Sequence, residues 1–369
     1  MKNILVIFGG KSVEHDVSII TGVMTANTLD HEKYNVIPVL VTRKGEWISG
    51  DELLDIDGYK KLDLAKLKNV ALLSGSNILY EVKGKKIKAI APISAVINCM
   101  HGGLGEDGSF SGLFSSCAIA MVGAGVMSSS ISINKCFTKT VLKGLGIKSL
   151  PCTAVTSVDQ AVKESNGFTY PVVVKPNLLG SSIGVVKAQT QGQLAFAVSA
   201  ALKYGDTAII EPCLENFIEI NCAAYRLGDK VIVSECERAI GKQEILSFRD
   251  KYECGKRVFP ADISKQLSNK IKRITKKVYA ECEFSGIARI DYFISKNEVY
   301  LNEINSVPGS LAYYLFCDKL KDFSLLLDKL ITEAVAKQSK ISTFNFNYRS
   351  SILTGVGAKG AKNRSDKRL

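Results

Sequence analysis

The sequence has little of what marks a metal-stapled, secreted or membrane protein. Its 10 cysteines include no Cys-x-x-Cys pair, and none cluster with the 3 histidines. A zinc site is therefore not expected, and a reduced compartment fits, each thiol acting as a small hydrophobe. No apolar run approaches the roughly 20 residues of a membrane span. The opening "MKNILVIFGGKS" reads as a short buried strand ending in a turn. It lacks the longer apolar region and cleavage site of a secretion signal, so a cytoplasmic protein is expected. Internal repeats and low-complexity linkers are absent. So are helix-turn-helix, RNP and finger patterns, which argues against nucleic acid as the partner of the +12 net charge. An anionic ligand such as a nucleotide phosphate suits that charge instead.

What is present is 369 residues, 46% hydrophobic and 23% charged, enough for two or three domains around a large core. Residues 1–126 alternate apolar strand runs ("NILVIF", "NVIPVLV", "AVINCM", "IAMVGA") with helical patterns such as "DVSIITGVMTANTL". That alternation predicts a doubly wound parallel sheet, with ligands at the carboxyl ends of its strands. Residues 127–213 run from a Ser-rich helix start through "NKCFTKTVLKGLG" and "YPVVVKPNLLGSSIGVVKA" to "TAIIEPCL", a small α+β unit. Residues 214–345 carry strand hairpins, an amphipathic helix near 264–283 and a final helix, "FSLLLDKLITEAVAK", a second α+β unit. Residues 346–369 form a tail whose end, "GAKGAKNRSDKRL", holds Lys359, Lys362, Arg364, Lys367 and Arg368 against Asp366, either a solvated disordered end or a binding arm.

Four elements could carry chemistry. In "RIDYFISKNEVYLNEINSVPGS", period-two alternation puts Arg289 and Asp291 on one strand face, and Glu303 and Asn305 on one face of the next. If the two sets coincide, carboxylates and an amide suit Mg²⁺ held with phosphates, beside an arginine able to steady developing negative charge. The alternative is a solvated hairpin face with an Arg289–Glu303 pair. Gly309 in the turn behind lets backbone N–H groups approach a ligand. In "VVVKPNLLGSSIG", Lys175 ends a buried strand and Gly180-Ser181-Ser182 can bend around an anion, or simply form a hairpin turn. It is not a Walker motif. "FGGKSVEHDVS" lacks the dinucleotide fingerprint, which disfavours NAD, and places Glu14 and His15 at a helix start facing the cleft. In "MHGGLGEDGSFSG", Asp107 or Ser109 can cap a helix, and His101 is either a ligand contact or a satisfied polar group.

In this order, these stretches, with the Lys135 helix, "IIEPCLENFIEI" and "FRDKY", resemble the D-alanine–D-alanine ligases of the ATP-grasp superfamily over nearly the whole chain. The resemblance implies an N-terminal doubly wound domain, 1–126, followed by two α+β domains, 127–213 and 214–345, clamping ATP. It implies an enzyme that joins two D-alanines through an acyl phosphate for peptidoglycan synthesis, acting as a homodimer. Lys135 and Lys175 would reach the ATP phosphates under the Ser181 loop. The strand from Glu211 to Leu214 would border the adenine, and Glu219 would contact the ribose. Asp291, Glu303 and Asn305 would hold two Mg²⁺ or Mn²⁺ ions. Arg289 and the Gly309 N–H would face the tetrahedral oxyanion. Glu14 would take the first substrate's ammonium, in a cluster with Ser181 and Tyr252. Lys251, also an ATP contact, and Tyr252 would ride on a closing loop. His101 and Ser310 complete the substrate contacts.

Two positions and one three-residue stretch depart from the family pattern. Asn134 stands where an aspartate precedes the lysine, and Leu178 replaces a polar loop residue. Tyr313-Tyr314-Leu315 occupies the stretch where a serine helps hold the second substrate's carboxylate, which leaves D-serine, D-lactate or another amino acid open as acceptor. The "KY" pair in the loop favours an amine. A catalytically silent nucleotide-binding protein with a basic interaction tail is the reading from another class.

Overall fold

Alternate residues of the first strand, β1 (Lys2–Gly9), enter different cores. Ile4, Val6 and Phe8 pack on one side, Leu5 and Ile7 on the other. Burial on both sides is why this segment reads as one continuous apolar run. The computed structural model describes residues 1–240 and 256–345 together with 347, 348 and 350. In it β1 is flanked in parallel by β2 (Tyr34–Val41) and by the later strand at Ala95–Asn98, which pairs in parallel with the strand at Ala120–Val122. Helix α1 (His15–Thr28) covers the first face, and Gly22 lets it approach closely, since a Cβ there would sit 2.3 Å from the Phe8 ring. Helix α2 (Ser109–Ser116) covers the second face with Phe110 and Phe114.

The parallel winding expected over 1–126 is confined to those four strands. Residues 47–92 add β3 (Trp47–Ser49), β4 (Lys68–Leu72), β5 (Ile78–Lys83) and β6 (Lys86–Pro92), all antiparallel. With β7 (Ala95–Asn98) and β8 (Ala120–Val122) they complete an eight-stranded sheet of order β6-β5-β4-β3-β2-β1-β7-β8. Antiparallel neighbours need no crossover helix, which is why this stretch carries no helical period.

Helices α3 (Val126–Ile133) and α4 (Lys135–Gly144) follow. The Asn134 side chain accepts the Phe137 N–H at 3.0 Å and caps α4, a role aspartate fills equally well. The second sheet is antiparallel, order β11-β10-β12-β9, from β9 (Thr153–Val155), β10 (Val172–Pro176), β11 (Val186–Ala188) and β12 (Ala208–Pro212). Helices α5 (Val158–Glu164) and α6 (Gln191–Leu202) close its core through Ala161, Leu194 and Val198.

The third sheet has the order β16-β15-β13-β17-β18, with β14 on β13. Its strands are β13 (Phe217–Leu227), β14 (Lys230–Val233), β15 (Glu237–Ile240), β16 (Lys256–Val258), β17 (Ala288–Ser295) and β18 (Glu298–Asn305). Helix α7 (Lys265–Glu281) buries Ile271, Val278 and Tyr279 against Cys222, Ile290 and Tyr292. The last helix, α8 (Leu320–Ser342), is longer than its apolar core suggests. It returns Phe323, Leu327 and Ile331 to the Ile4–Val6–Phe8 face, so the chain's end packs on its beginning. Five described cysteines are buried as small hydrophobes. Cys136, Cys152, Cys213 and Cys317 are only half-buried, contrary to the expectation that every thiol acts as a small hydrophobe. Among the described residues no helix is long and apolar enough to cross a membrane.

Candidate active site

The β17–β18 hairpin turns through Lys296 and Asn297, both left-handed at φ 50° and 62°, the two-residue turn whose twist suits antiparallel strands. That turn sets the register, with Arg289 opposite Asn305 and Asp291 opposite Glu303, so all four side chains share one face. Arg289 grips Asp291 as a fork, Nε to Oδ1 and Nη2 to Oδ2, each at 2.8 Å. Asn305 adds its amide N–H to Asp291 Oδ2 at 3.0 Å. A bulge falls between Asp291 and Tyr292, where pairing jumps from Glu303 to Leu301. The extra residue is Asn302, which strict alternation would send to the opposite face from Glu303. The bulge re-aims it into the cleft, where it accepts from Lys175 Nζ at 3.3 Å.

Two lysines meet this face from α4 and the second sheet, and a third stands behind them. Lys135 Nζ donates to the Leu179 carbonyl at 2.7 Å and lies 3.9 Å from Glu303 Oε2. Lys175, at the end of β10, contacts Glu211 Oε2 at 2.8 Å, and Lys139 contacts Glu211 Oε1 at 2.8 Å. Lys139 also donates to the Leu150 carbonyl at 2.8 Å. Burial opposes the charge on both Glu211 and Lys175. The neighbouring lysines nonetheless hold Glu211 below the usual carboxylate range, and Glu211 holds Lys175 above its usual value. Glu211 is thus the counter-ion of a lysine floor, while Pro212, Cys213 and Leu214 line the cleft beyond it. Lys139 escaped the sequence reading, although its place one helical turn after Lys135 puts both on one face.

The cleft takes in about 880 Å³, including its open mouth. Leu150, Val173, Val185, Leu214, Phe217 and Phe293 make one part apolar. Lys135, Lys175, Glu219, Asp291, Asn302 and Glu303 make the rest polar. An apolar slot opening onto lysines suits a flat ring carrying an anionic tail. The carboxylates of Asp291 and Glu303 and the Asn305 amide offer the hard oxygens that Mg²⁺ or Mn²⁺ prefers. Among the described residues no cluster of three or more His, Cys, Asp or Glu could hold a metal alone. The donor set fits an ion whose shell is completed by phosphate oxygens.

A second constellation adjoins the first. Ser181 and Ser182 are left-handed, at φ 55° and 57°, and the turn brings the Ser181 hydroxyl to donate to Glu14 Oε1. Gly102 beside them is left-handed at φ 66°, a conformation that favours glycine, and a Cβ there would crowd Glu14 Oε2 at 2.7 Å. His15, expected to face the cleft, instead turns Nδ1 to the Gly10 carbonyl at 2.7 Å and is buried, because the helix start folds back over its own glycine turn. Buried His101 meets the Thr21 hydroxyl at 2.9 Å, and Thr21 Oγ1 accepts the Ser310 N–H at 3.1 Å. Burial, with a smaller push from Arg289, lowers His101 to about 4, so the imidazole is neutral.

Glu106, not singled out from sequence, bridges two loops. It accepts from the Gly102 N–H at 2.8 Å, the Val307 N–H at 2.9 Å and the Ser306 hydroxyl at 3.1 Å. Burial and the nearby Glu14 charge raise it to about 7. The turn it steadies runs on through Gly309 into Ser310, Leu311 and Ala312, all near φ 50°. Left-handed backbone costs a non-glycine residue ~1–2 kcal/mol, and burial of Leu311 and Ala312 offsets it. Tyr313 stacks on Phe323 in the core. Tyr314 lies under the Arg257 guanidinium, 4.6 Å from the ring centre, within hydrogen-bonding reach of Arg289. Leu178 is about half exposed. Lys251, Tyr252 and nearly all of the 346–369 tail lie outside the described residues.

Residues 3–124 match the family description "D-ala D-ala ligase N-terminus", and residues 141–336 match "D-ala D-ala ligase C-terminus". The chain is 35% identical to the D-alanine–D-alanine ligase of Thermosipho melanesiensis over 360 residues, 94% of this chain and 98% of that protein. It is 33% identical to the Helicobacter pylori protein of the same name, over 92% of this chain and 96% of that one. Its fold is similar to the crystal structure of D-alanine–D-alanine ligase from Helicobacter pylori, with a TM-score of 0.76 and 30% identity, over 90% and 98% of the two chains. The Coxiella burnetii ligase structure gives a TM-score of 0.77 at 25% identity, over 92% and 96%.

Proposed function

The chain belongs to the D-alanine–D-alanine ligase family, and from that premise we propose how its own residues carry the reaction. It is an ATP-dependent ligase that joins two D-alanines for cell-wall synthesis. The observation that carries the residue assignment is the shared face of Arg289, Asp291, Glu303 and Asn305, directly opposite Lys135 and Lys175.

A carboxylate is a poor electrophile, so the first D-alanine must be activated. Its carboxylate oxygen attacks the γ-phosphorus of ATP, ADP leaves, and an acyl phosphate results. Lys135 and Lys175 neutralise charge on the phosphates during this transfer. Glu211 pairs with both Lys175 and Lys139 and orients them. The adenine lies along Leu214, Phe217 and Phe293, with Glu219 on the ribose. Asp291, Glu303 and Asn305 are the residues that would hold divalent ions, and such ions, when bound, neutralise and polarise phosphate oxygens.

Glu14 binds the ammonium of the first D-alanine, its carboxylate oriented by the Ser181 hydroxyl. The amine of the second D-alanine then attacks the acyl carbon, loses a proton, and expels phosphate. Arg289, its plane set by the Asp291 fork, and the Gly309 N–H are the donors we assign to the oxyanion. His101 stays neutral and acts through Thr21 on the Ser310 backbone, a positioning role. Residues 1–126 serve the substrate, and 127–213 and 214–345 form the two halves of the nucleotide clamp. Lys251 and Tyr252 keep their roles on the closing loop by resemblance. A pair of divalent ions, a homodimeric assembly and a cytoplasmic location rest on the same ground.

The acceptor is D-alanine in this reading. Tyr314 beside Arg289 motivates the alternative, a different amine or hydroxyl acceptor. Phosphate release and product mass, with ATP, Mg²⁺ and a panel of D-alanine, D-serine, D-lactate and other amino acids, decide between them. Turnover with D-alanine alone supports the assignment; turnover only when another acceptor is added overturns it.

A further inference from the structure

One pair of half-buried thiols belongs to no step above. Cys136 Sγ and Cys152 Sγ are 3.6 Å apart. Cys136 directly follows Lys135 in the first turn of α4, and its N–H is held by Asn177 Oδ1 at 3.0 Å. Cys152 comes two residues after Leu150, which lines the nucleotide cleft and whose carbonyl takes the Lys139 ammonium. Both thiols are half-buried, within reach of a small oxidant, whereas Cys222 and Cys236, also neighbours, are fully enclosed at 0% and 2% exposure.

We propose that Cys136 and Cys152 form an oxidisable dithiol, a modification site at the wall of the cleft whose closure to a disulfide weakens nucleotide binding. The reagent is a low-molecular-weight disulfide, RSSR. The Cys136 thiolate attacks one of its sulfurs and releases RS⁻. The Cys152 sulfur then attacks the Cys136 sulfur of the mixed disulfide, loses its proton to solvent, and releases the second RS⁻. Two electrons pass from the protein to RSSR, with one S–S bond made and one broken.

The order of attack follows from the surroundings. The contact from Cys152, aided by the Lys139 charge, brings Cys136 down to about 7, while the same contact and burial push Cys152 up. Cys136 is therefore the attacking sulfur and Cys152 the resolving one. A covalent bond draws the two sulfurs about 1.5 Å closer than they now stand. The bond ties the first turn of α4 to the segment after Leu150. Lys135 and Lys139 ride on that helix, so the tether acts on the lysine floor. This consequence rests on the nucleotide reading of the cleft; the cross-link does not.

The test treats the full-length protein with oxidised glutathione, alkylates the remaining thiols and maps the peptides by mass. The expected result is a peptide joining Cys136 to Cys152. Cys152→Ser should instead retain a glutathione adduct on Cys136. ATP titrated by calorimetry should bind the oxidised protein at least fivefold more weakly than the reduced protein, reversibly with dithiothreitol. Cys136→Ser should show no such change. Cys136 and Cys152 both alkylated after treatment, or cross-linked with unchanged ATP affinity, overturns the proposal. Absence of ATP binding by the reduced protein overturns the nucleotide reading instead, and the mass map still decides the cross-link.

Discussion

Glu106 accepts the Val307 N–H at 2.9 Å, across 201 positions of sequence. It thereby fixes the turn that delivers Gly309, and burial shifts both Glu106 and His101 toward their neutral forms. Glu106 is raised from 4.5 to about 7, so its stabilising effect is present at low pH and is lost as pH rises through that interval. His101 is lowered from 6.5 to about 4, so its effect is present above 6.5 and is lost as pH falls toward 4. The two slopes oppose one another, each on the order of 1 kcal/mol per pH unit. The unaltered protein should show a nearly flat Tm between roughly pH 5 and 6.5. Glu106→Gln should make Tm rise with pH there, and His101→Gln should make it fall. Calorimetric melts across the window check both signs; identical profiles in all three proteins count against this reading of the pair.

Glu303→Gln keeps the side-chain volume but removes a carboxylate 3.9 Å from Lys135. Turnover should drop by ~10²-fold or more while the fold survives, because charge stabilisation in the transition state is lost. Phosphate release alongside a thermal melt separates the two. Near-normal turnover would remove Glu303 from the chemistry.

Glu211→Gln leaves Lys139 and Lys175 buried without their counter-ion. Breaking a buried pair in this way typically costs ~3–5 kcal/mol, and the KM for ATP should rise as the floor loosens. In the unaltered protein, Lys175 and Lys139 hold the Glu211 pKa below the usual carboxylate range despite its burial. Its contribution is therefore present above the ordinary value of 4.5 and is lost as pH falls below it. Denaturant titrations at neutral pH and near pH 4 should show the gap between variant and parent narrowing in acid.

Arg289→Lys keeps the charge and loses the fork on Asp291. A point ammonium cannot reproduce two parallel 2.8 Å contacts. The expected outcome is a fall in kcat of ~10²–10³-fold with a small change in KM for ATP, read from steady-state kinetics. A change confined to KM would reassign Arg289 to ground-state binding.

Legibility followed the range of the interactions. The two pairs, Arg289 with Asp291 and Glu303 with Asn305, could be read from alternation along each strand, while the register that joins them on one face came from the two-residue turn. Asn302 could not, because a bulge breaks the alternation that would have located it. Lys139 was hidden because its partner, Glu211, lies on a strand 72 positions away and meets α4 only after packing. Glu106 looked like one acidic residue among glycines. The strands of residues 47–92 are short and half-exposed, so no period announced them.

By itself the sequence determined the order of the motifs, the strand and helix periods, and the residue types able to neutralise phosphate or ligate a metal. These depend on neighbours along the chain, where sterics and hydrogen bonds act over a few residues. Only the tertiary structure decided which charges share a cleft, which of them hold one another in place, and which two thiols stand within reach. Those outcomes depend on distances between segments far apart in sequence, and both Coulomb energy and hydrogen bonding vary steeply with such distances once water is excluded.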